Sequence, residues 1–424
     1  MFVNNGSVIK NTTTGTSFFA VGIGYGGVAF NNNGSVNIQN GNLSLGDGGD
    51  SLNGSFTVAA GSVVDFTNGL FFVNGNQALS GGGMERVSGG TVTFNNSTDT
   101  LGGGNMFAIT SGALGGTNTF SGAGTVNWSG GIIGAQLKLS STVALNINGA
   151  NDKLLHLGAI TSSGPGTWTG TGHVLFGFGS AFTNNGTFTI QNDSFVDNDG
   201  SYNGYDYPSP LFVNNGSVIK NTTTGTTAFS VGLGYGGVAF NNNGIVDLRT
   251  GTLAINGSYI LSGSPQLKLV LGGVNPGTQF SQETFAGPAA LGGTLSVTLA
   301  NGFSPTNGQS FAVVTYGSES GQFASQQLPA LPSGLAWQIT YGATAVTLNV
   351  VRATVITDAT RLANGHFQFS LSGPSATSAL IQASTNLVNW TSLQTNTPFS
   401  GLLLFDDAQT VGYPVRFYRV LLLP

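Results

Sequence analysis

The chain has 424 residues, only 6% of them charged against about 25% in an ordinary globular protein, and a formal net charge of −5. So weak and dispersed a charge excludes the electrostatic footprint of a nucleic-acid-binding protein, and no apolar run reaches the roughly 18 residues of a membrane helix. Cysteine is absent, which excludes disulfides, thiol catalysis and thiolate metal sites.

Apolar residues make up 40% of the chain, enough for a core, and glycine, at 68 residues, is more than twice its usual share of about 7%. The surface must then be wetted by Asn, Thr and Ser. Residues 2–36 read FVNNGSVIKNTTTGTSFFAVGIGYGGVAFNNNGSV, and residues 212–246 repeat them with roughly 30 of about 35 positions identical. Each short run of Phe, Val and Ile, which favour a pleated surface, ends in an Asn-Gly turn. Both turn residues tolerate a left-handed backbone, and that conformation is expected at these corners. Phe2 to Phe30 and Phe212 to Phe240 each span 28 residues, and Phe182-Thr183-Asn184-Asn185-Gly186 is a degenerate copy 30 residues before Phe212. A unit this short cannot bury its own apolar face and must stack on its neighbours. The pattern predicts an all-β chain: a parallel β-solenoid (β-helix) whose Asn residues form ladders and whose Phe30, Phe182 and Phe240 point inward. With about 28 residues per coil, the two long copies should share one face, seven or eight coils or about 35 Å apart. Met1 stands where Leu211 stands in the second copy, so the chain is expected to start in mid-pattern, with more N-terminal sequence upstream.

Solenoid coils are predicted over residues 1–285. Val36-Asn37-Ile38, Phe56-Thr57-Val58 and Leu70-Phe71-Phe72-Val73 read as strands, and LKLSSTVALNI over 137–147 alternates with one apolar face. Residues 193–210, DSFVDNDGSYNGYDYPSP, break the texture and are expected to project from a coil as a loop. Asp193, Asp197, Asp199 and Asp206 crowd there in a chain with 16 acidic residues. Asp197-Asn198-Asp199-Gly200 has the alternating oxygens that open a calcium loop, but lacks the closing Glu. Tyr202, Tyr205 and Tyr207 could stack on sugar faces. Three readings of this loop stay open: a solvated excursion, a calcium site on Asp197 and Asp199, and a glycan contact.

Other motifs carry less. Gly22 to Gly27 and Gly232 to Gly237 match G-x-G-x-x-G, but Val28-Ala29-Phe30 reads as a strand where a dinucleotide site needs a helix. His156, His173 and His366 stand far apart in sequence, with no nucleophile elbow beside them. Asp47 and Asp50 form another close acidic pair, in a Gly-rich turn. Lys10, Lys138, Lys153, Lys220 and Arg249 do not cluster as the cationic side of a lyase site would. No catalytic constellation emerges, so the chain is expected not to be an enzyme. The alternative is a polysaccharide lyase or glycoside hydrolase on a β-helix scaffold, which would need converging carboxylates.

Leu271-Gly272-Gly273, LGGTLSV over 291–297, Gly302-Phe303-Ser304-Pro305, Thr315-Tyr316-Gly317-Ser318 and Gly334-Leu335-Ala336-Trp337 come next along the chain. With them, residues 258–351 resemble the closing segment of secreted bacterial β-solenoids of the autotransporter-passenger type. That resemblance implies final coils and a cap over 286–351, and a secreted or cell-surface protein meeting extracellular glycans or other surface proteins. After the cap the chain departs from autotransporters: in place of a translocator barrel, residues 352–424 carry about six strand-like runs and predict a small β-sandwich. ASTNLVNWT over 383–391 with Arg416-Phe417-Tyr418-Arg419 resembles a C-terminal module of secreted proteins from Verrucomicrobia-like bacteria, which implies no particular activity.

Overall fold

The computed structural model describes residues 1–19, 27–200, 208–229, 237–300, 302–375 and 378–423. The first unit, Met1–Ala300 with Val313–Gln327 and Gly342–Ala345, is a parallel β-solenoid with three strands per coil. In the first coil, Phe2–Asn4 lies on face 1, Ser7–Lys10 on face 2 and Thr16–Phe19 on face 3. Face 3 stacks into a 14-stranded parallel sheet, so this unit runs about 60 Å at about 4.8 Å per rung. Faces 1 and 2 merge into one sheet where Thr91–Leu101 and Ala113–Gly122 run through the corner without a break.

The ladders put like on like. Phe182, Phe212 and Phe240 occupy one inward column, their rings stacked at 5.2 Å in both steps. All three, and Phe30, are at most 2% exposed. Two residues on and on the same inward side, Asn184 Nδ2 donates to Asn214 Oδ1, and Asn214 Nδ2 to Asn242 Oδ1, both at 2.9 Å. The same amides also donate to backbone carbonyls of the next coil, at Ser217 and Ile245. Asn184 and Asn214 therefore meet their polar demand through their neighbours in the ladder, which makes them affordable inside a coil.

The Asn-Asn-Gly corners do not use the left-handed backbone that they suggest, whereas Gly41, Gly69 and Gly149, each after a single Asn, do. Gly34, Gly186, Gly216 and Gly244 are absent from the positive-φ residues. The Asn instead accepts from the N–H two residues on, as Asn242 Oδ1 does from Gly244 at 3.2 Å, an Asx turn. Glycine is needed because the coils touch there: a Cβ on Gly216 would lie 2.0 Å from the Gly186 carbonyl oxygen.

The expected equivalence of the two long copies is overturned. Strand bounds in the second copy follow those in the first, yet Phe30 lies on face 1 and Phe240 on face 2. The segment SVIK is a face 2 strand at Ser7–Lys10 and a face 3 strand at Ser217–Lys220. The offset is nine coils and one face, about 43 Å along the axis at about 4.8 Å per rung. The reason lies in coil length. The 28-residue spacing belongs to the long coils, whereas the coils between them are shorter: successive face 3 strands begin at Met106, Thr125 and Ala144.

The second unit, Asn301–Ala312, Leu328–Tyr341 and Val346–Pro424, contains an antiparallel pairing of Leu335–Tyr341 with residues 346–352. It also holds a sandwich of two three-stranded antiparallel sheets. One sheet is Val355–Arg361, Phe367–Ser372 and Leu402–Asp407; the other is Thr391–Asn396, Ser378–Ser384 and Phe417–Leu423. Phe369, Leu371, Ala379, Ile381, Phe399 and Phe405 form the core between them.

Candidate functional site

The acidic segment begins inside the solenoid and not as a projecting loop. Phe195–Asn198 is a face 1 strand, paired with Val174–Gly177 on one side and Thr226–Phe229 on the other. Val196 is drawn inward by its register with Val174 and Phe229, and that apolar column decides the conformation.

Each described acid has its own local role. Asp193 Oδ1 receives the Lys220 ammonium at 2.8 Å and the Thr223 hydroxyl at 2.6 Å. Lys220 is fully buried, and it also donates to the Asn192 carbonyl and the Thr227 hydroxyl. Burial pulls the Lys220 pKa down. Burial alone would raise that of Asp193, but the lysine and the threonine outweigh it and hold the carboxyl below its ordinary value. Asp197 is 1% exposed and accepts from the Asn198 N–H at 2.8 Å. Asp199 Oδ2 meets His156 Nε2 at 2.5 Å, across two coils. Gly177 stands in the rung between them, and a Cβ there would come within 2.9 Å of Asp199 Oδ1 and 3.0 Å of the imidazole. The pair exists because that position has no side chain. Tyr202, Tyr205, Asp206 and Tyr207 lie outside the described residues. Among the described residues no three His, Asp or Glu side chains converge as a metal site would require.

The other candidates are dispersed. His173 stacks on Phe195 at 3.4 Å and shares a 2.7 Å hydrogen bond with the buried Ser194 hydroxyl. His366 pairs with Asp406 at 3.1 Å in the sandwich. Most of each G-x-G-x-x-G stretch lies outside the described residues, and the next element after each is a strand, Phe30–Asn32 or Ala239–Asn242.

Sequence reasoning missed the carboxyls inside the solenoid. Glu85 on face 3 is in register with Val64 and Phe107, both core residues, and Asp99 with Phe120. Burial, reinforced by the Asp99 charge, pushes Glu85 up to about 8. Burial lifts Asp99 to about 7 against hydrogen bonds from the Gln77 N–H, Asn118 and Ser97. Glu283 is raised to about 8 by burial. These groups are sealed from substrate, so they bear on stability and not on a surface reaction. The alternation Met84-Glu85-Arg86-Val87 was the available signal, because it puts Glu85 on the side of Val87.

No family model matches the chain, and no curated protein matches it.

Proposed function

We propose that the chain is a structural β-solenoid, secreted or displayed at a cell surface, that acts as a rigid stalk or adhesive scaffold and not as a catalyst. The observation that carries this reading is the unbroken 14-stranded ladder of face 3, together with the stacked inward Phe rings and hydrogen-bonded Asn column of face 2. Stacked coils of this kind resist bending because every rung shares its backbone hydrogen bonds with the next. The acids also support it: Asp193 and Asp199 are occupied by Lys220 and His156, and Glu85 and Asp99 face inward. A glycosidase would place two carboxyls about 5–10 Å apart on an open surface. The compartment rests on the resemblance of residues 258–351 to secreted solenoid ends. No helix among the described residues is long and apolar enough to cross a membrane.

The test is incubation of the full chain with neutral and acidic polysaccharides. Retention on the insoluble polymers, with no new reducing ends and no unsaturated products, is the expected result. Release of either product above a heat-treated control removes the non-catalytic reading, and absence of retention removes the adhesive one.

A further inference from the structure

The sandwich carries a cavity of about 240 Å³ lined by Arg361, Phe367, Thr410, Tyr413, Pro414, Arg416 and Tyr418. Its walls are fastened by three contacts. Asp407 caps the short 3-10 helix Ala408–Gly412 by accepting from the Gln409 N–H. Thr410 then ties that helix to the Gly365 carbonyl at 2.9 Å, and the Tyr418 hydroxyl donates to Asp407 Oδ2 at 2.9 Å. The site is therefore built before any ligand arrives, which lowers the entropic cost of binding.

Its charge is not balanced from within. The Arg416 side chain is only 8% exposed, and its Nη1 sits 2.8 Å from Asp407 Oδ2 in an ion pair but off the line of a hydrogen bond, so the Nη1 donors are unmatched among the described residues. A buried guanidinium with unmet donors calls for an acceptor, because leaving such donors dry is costly. Arg361, exposed at the end of its strand opposite Phe367, makes no ion pair among the described residues. Two cations thus line the pocket while the one carboxylate paired with Arg416, Asp407, already serves the helix cap and the Tyr418 hydroxyl. The flanks are flat and apolar. Phe367 and Tyr418 stack at 5.1 Å, 11° from parallel, and the Tyr413 ring lies 4.5 Å beneath the Arg416 guanidinium.

We propose that this pocket binds a ring carrying a single carboxylate, the chemistry of a uronic-acid unit of an acidic polysaccharide or of an aromatic carboxylate. The planar guanidinium fork matches a carboxylate in two-point geometry, and the aromatic faces take the body of the ring. The volume lies just below the roughly 300–1,000 Å³ of pockets for larger ligands, which fits one ring and not a run of them. This site would give the adhesive reading its contact, but it stands on the sandwich alone.

Saturation-transfer NMR on the full chain, with glucuronate, benzoate, glucose and inorganic phosphate as separate probes, tests it. Glucuronate should take up saturation, and glucose at equal concentration should not. Arg361→Gln and Tyr413→Ala, both at exposed positions outside the core, should each weaken glucuronate by about tenfold. Arg416→Gln should weaken it further, with circular dichroism reporting whether that variant folds. Saturation of benzoate alone keeps the ring-carboxylate pocket and selects the aromatic source. Equal response to glucose, full displacement of glucuronate by phosphate, or no response to either carboxylate overturns the proposal. Glucuronate binding by a chain that no polysaccharide retains would keep the pocket and lose the adhesive reading.

Discussion

Residues 2–36 and 212–246 are nearly the same sequence, and their described residues fold to the same local structure on different faces of one solenoid. In the first copy the segment FVNNGSVIK turns the corner from face 1 to face 2; in the second it turns from face 2 to face 3. The ladder geometry survives the change. Asn4 reaches Asn32 at 2.8 Å and Ser35 O at 2.9 Å, as Asn214 reaches Asn242 and Ile245 O, both at 2.9 Å. What differs is cover. Phe2, paired with Phe30, is 38% exposed, and Phe212, with Phe182 and Phe240 stacked on its two sides, is 2% exposed. Among the described residues Lys10 donates to Thr13 alone, whereas Lys220 also reaches Asn192 and Asp193 of the preceding coil. The segment therefore specifies a corner, not a face, and its stability is lent by its neighbours.

The largest expected effect separates the second copy from the coils that carry buried carboxyls, Glu85 and Asp99 between the copies and Glu283 beyond them. Glu85, Asp99 and Glu283 hold protons in the fold, with pKa values of about 8, 7 and 8, that they would release when unfolded near neutral pH. A raised carboxyl pKa gives stability that is whole below the unfolded value, near pH 4, and is lost as pH climbs through 7 to 8. The loss should be on the order of 10 kcal/mol between pH 5 and 8. Lys153, lowered by burial to about 8 against the pull of Asp152, works in the opposite sense only above that range. Hydrogen exchange at pH 8 should therefore open residues 84–101 before 212–229. Simultaneous opening would mean that the second copy has no stability of its own.

Next comes truncation of matched rings. Phe212→Ala should cost about 3–5 kcal/mol and Phe2→Ala about 1, read as local protection in the coils around each. Equal costs would break the argument from cover.

Smaller still is the effect at matched corner glycines. A Cβ on Gly216 meets the Gly186 carbonyl oxygen, while one on Gly6 meets nothing within 4 Å. Gly216→Ala should cost about 1–3 kcal/mol and Gly6→Ala less than about 0.5, by thermal melting. A costly Gly6→Ala would point to backbone conformation, and not coil contact, as the reason for glycine.

Much of this architecture is legible in the chain. Alternating Phe, Val and Asn, punctuated by Asn-Gly, specifies short strands, sharp corners, inward rings and Asn ladders, because these depend on contacts a few residues away or one repeat away. The candidate acids were legible as a cluster in sequence, but their partners were not. His156 lies 43 residues from Asp199, and Gly177 between them matters only by having no side chain. The sandwich pocket was hidden for the same reason, since Arg361 and Arg416 meet only after two strands of one sheet and the last strand of the other have paired.

The sequence by itself determined the strand-and-corner unit and the parallel stacking that such a unit requires. Only the tertiary structure decided which face each copy occupies, how many coils separate them and which polar groups are sealed inside. The unit fits more than one corner, so its face depends on the lengths of all the coils before it, a quantity that no local preference encodes.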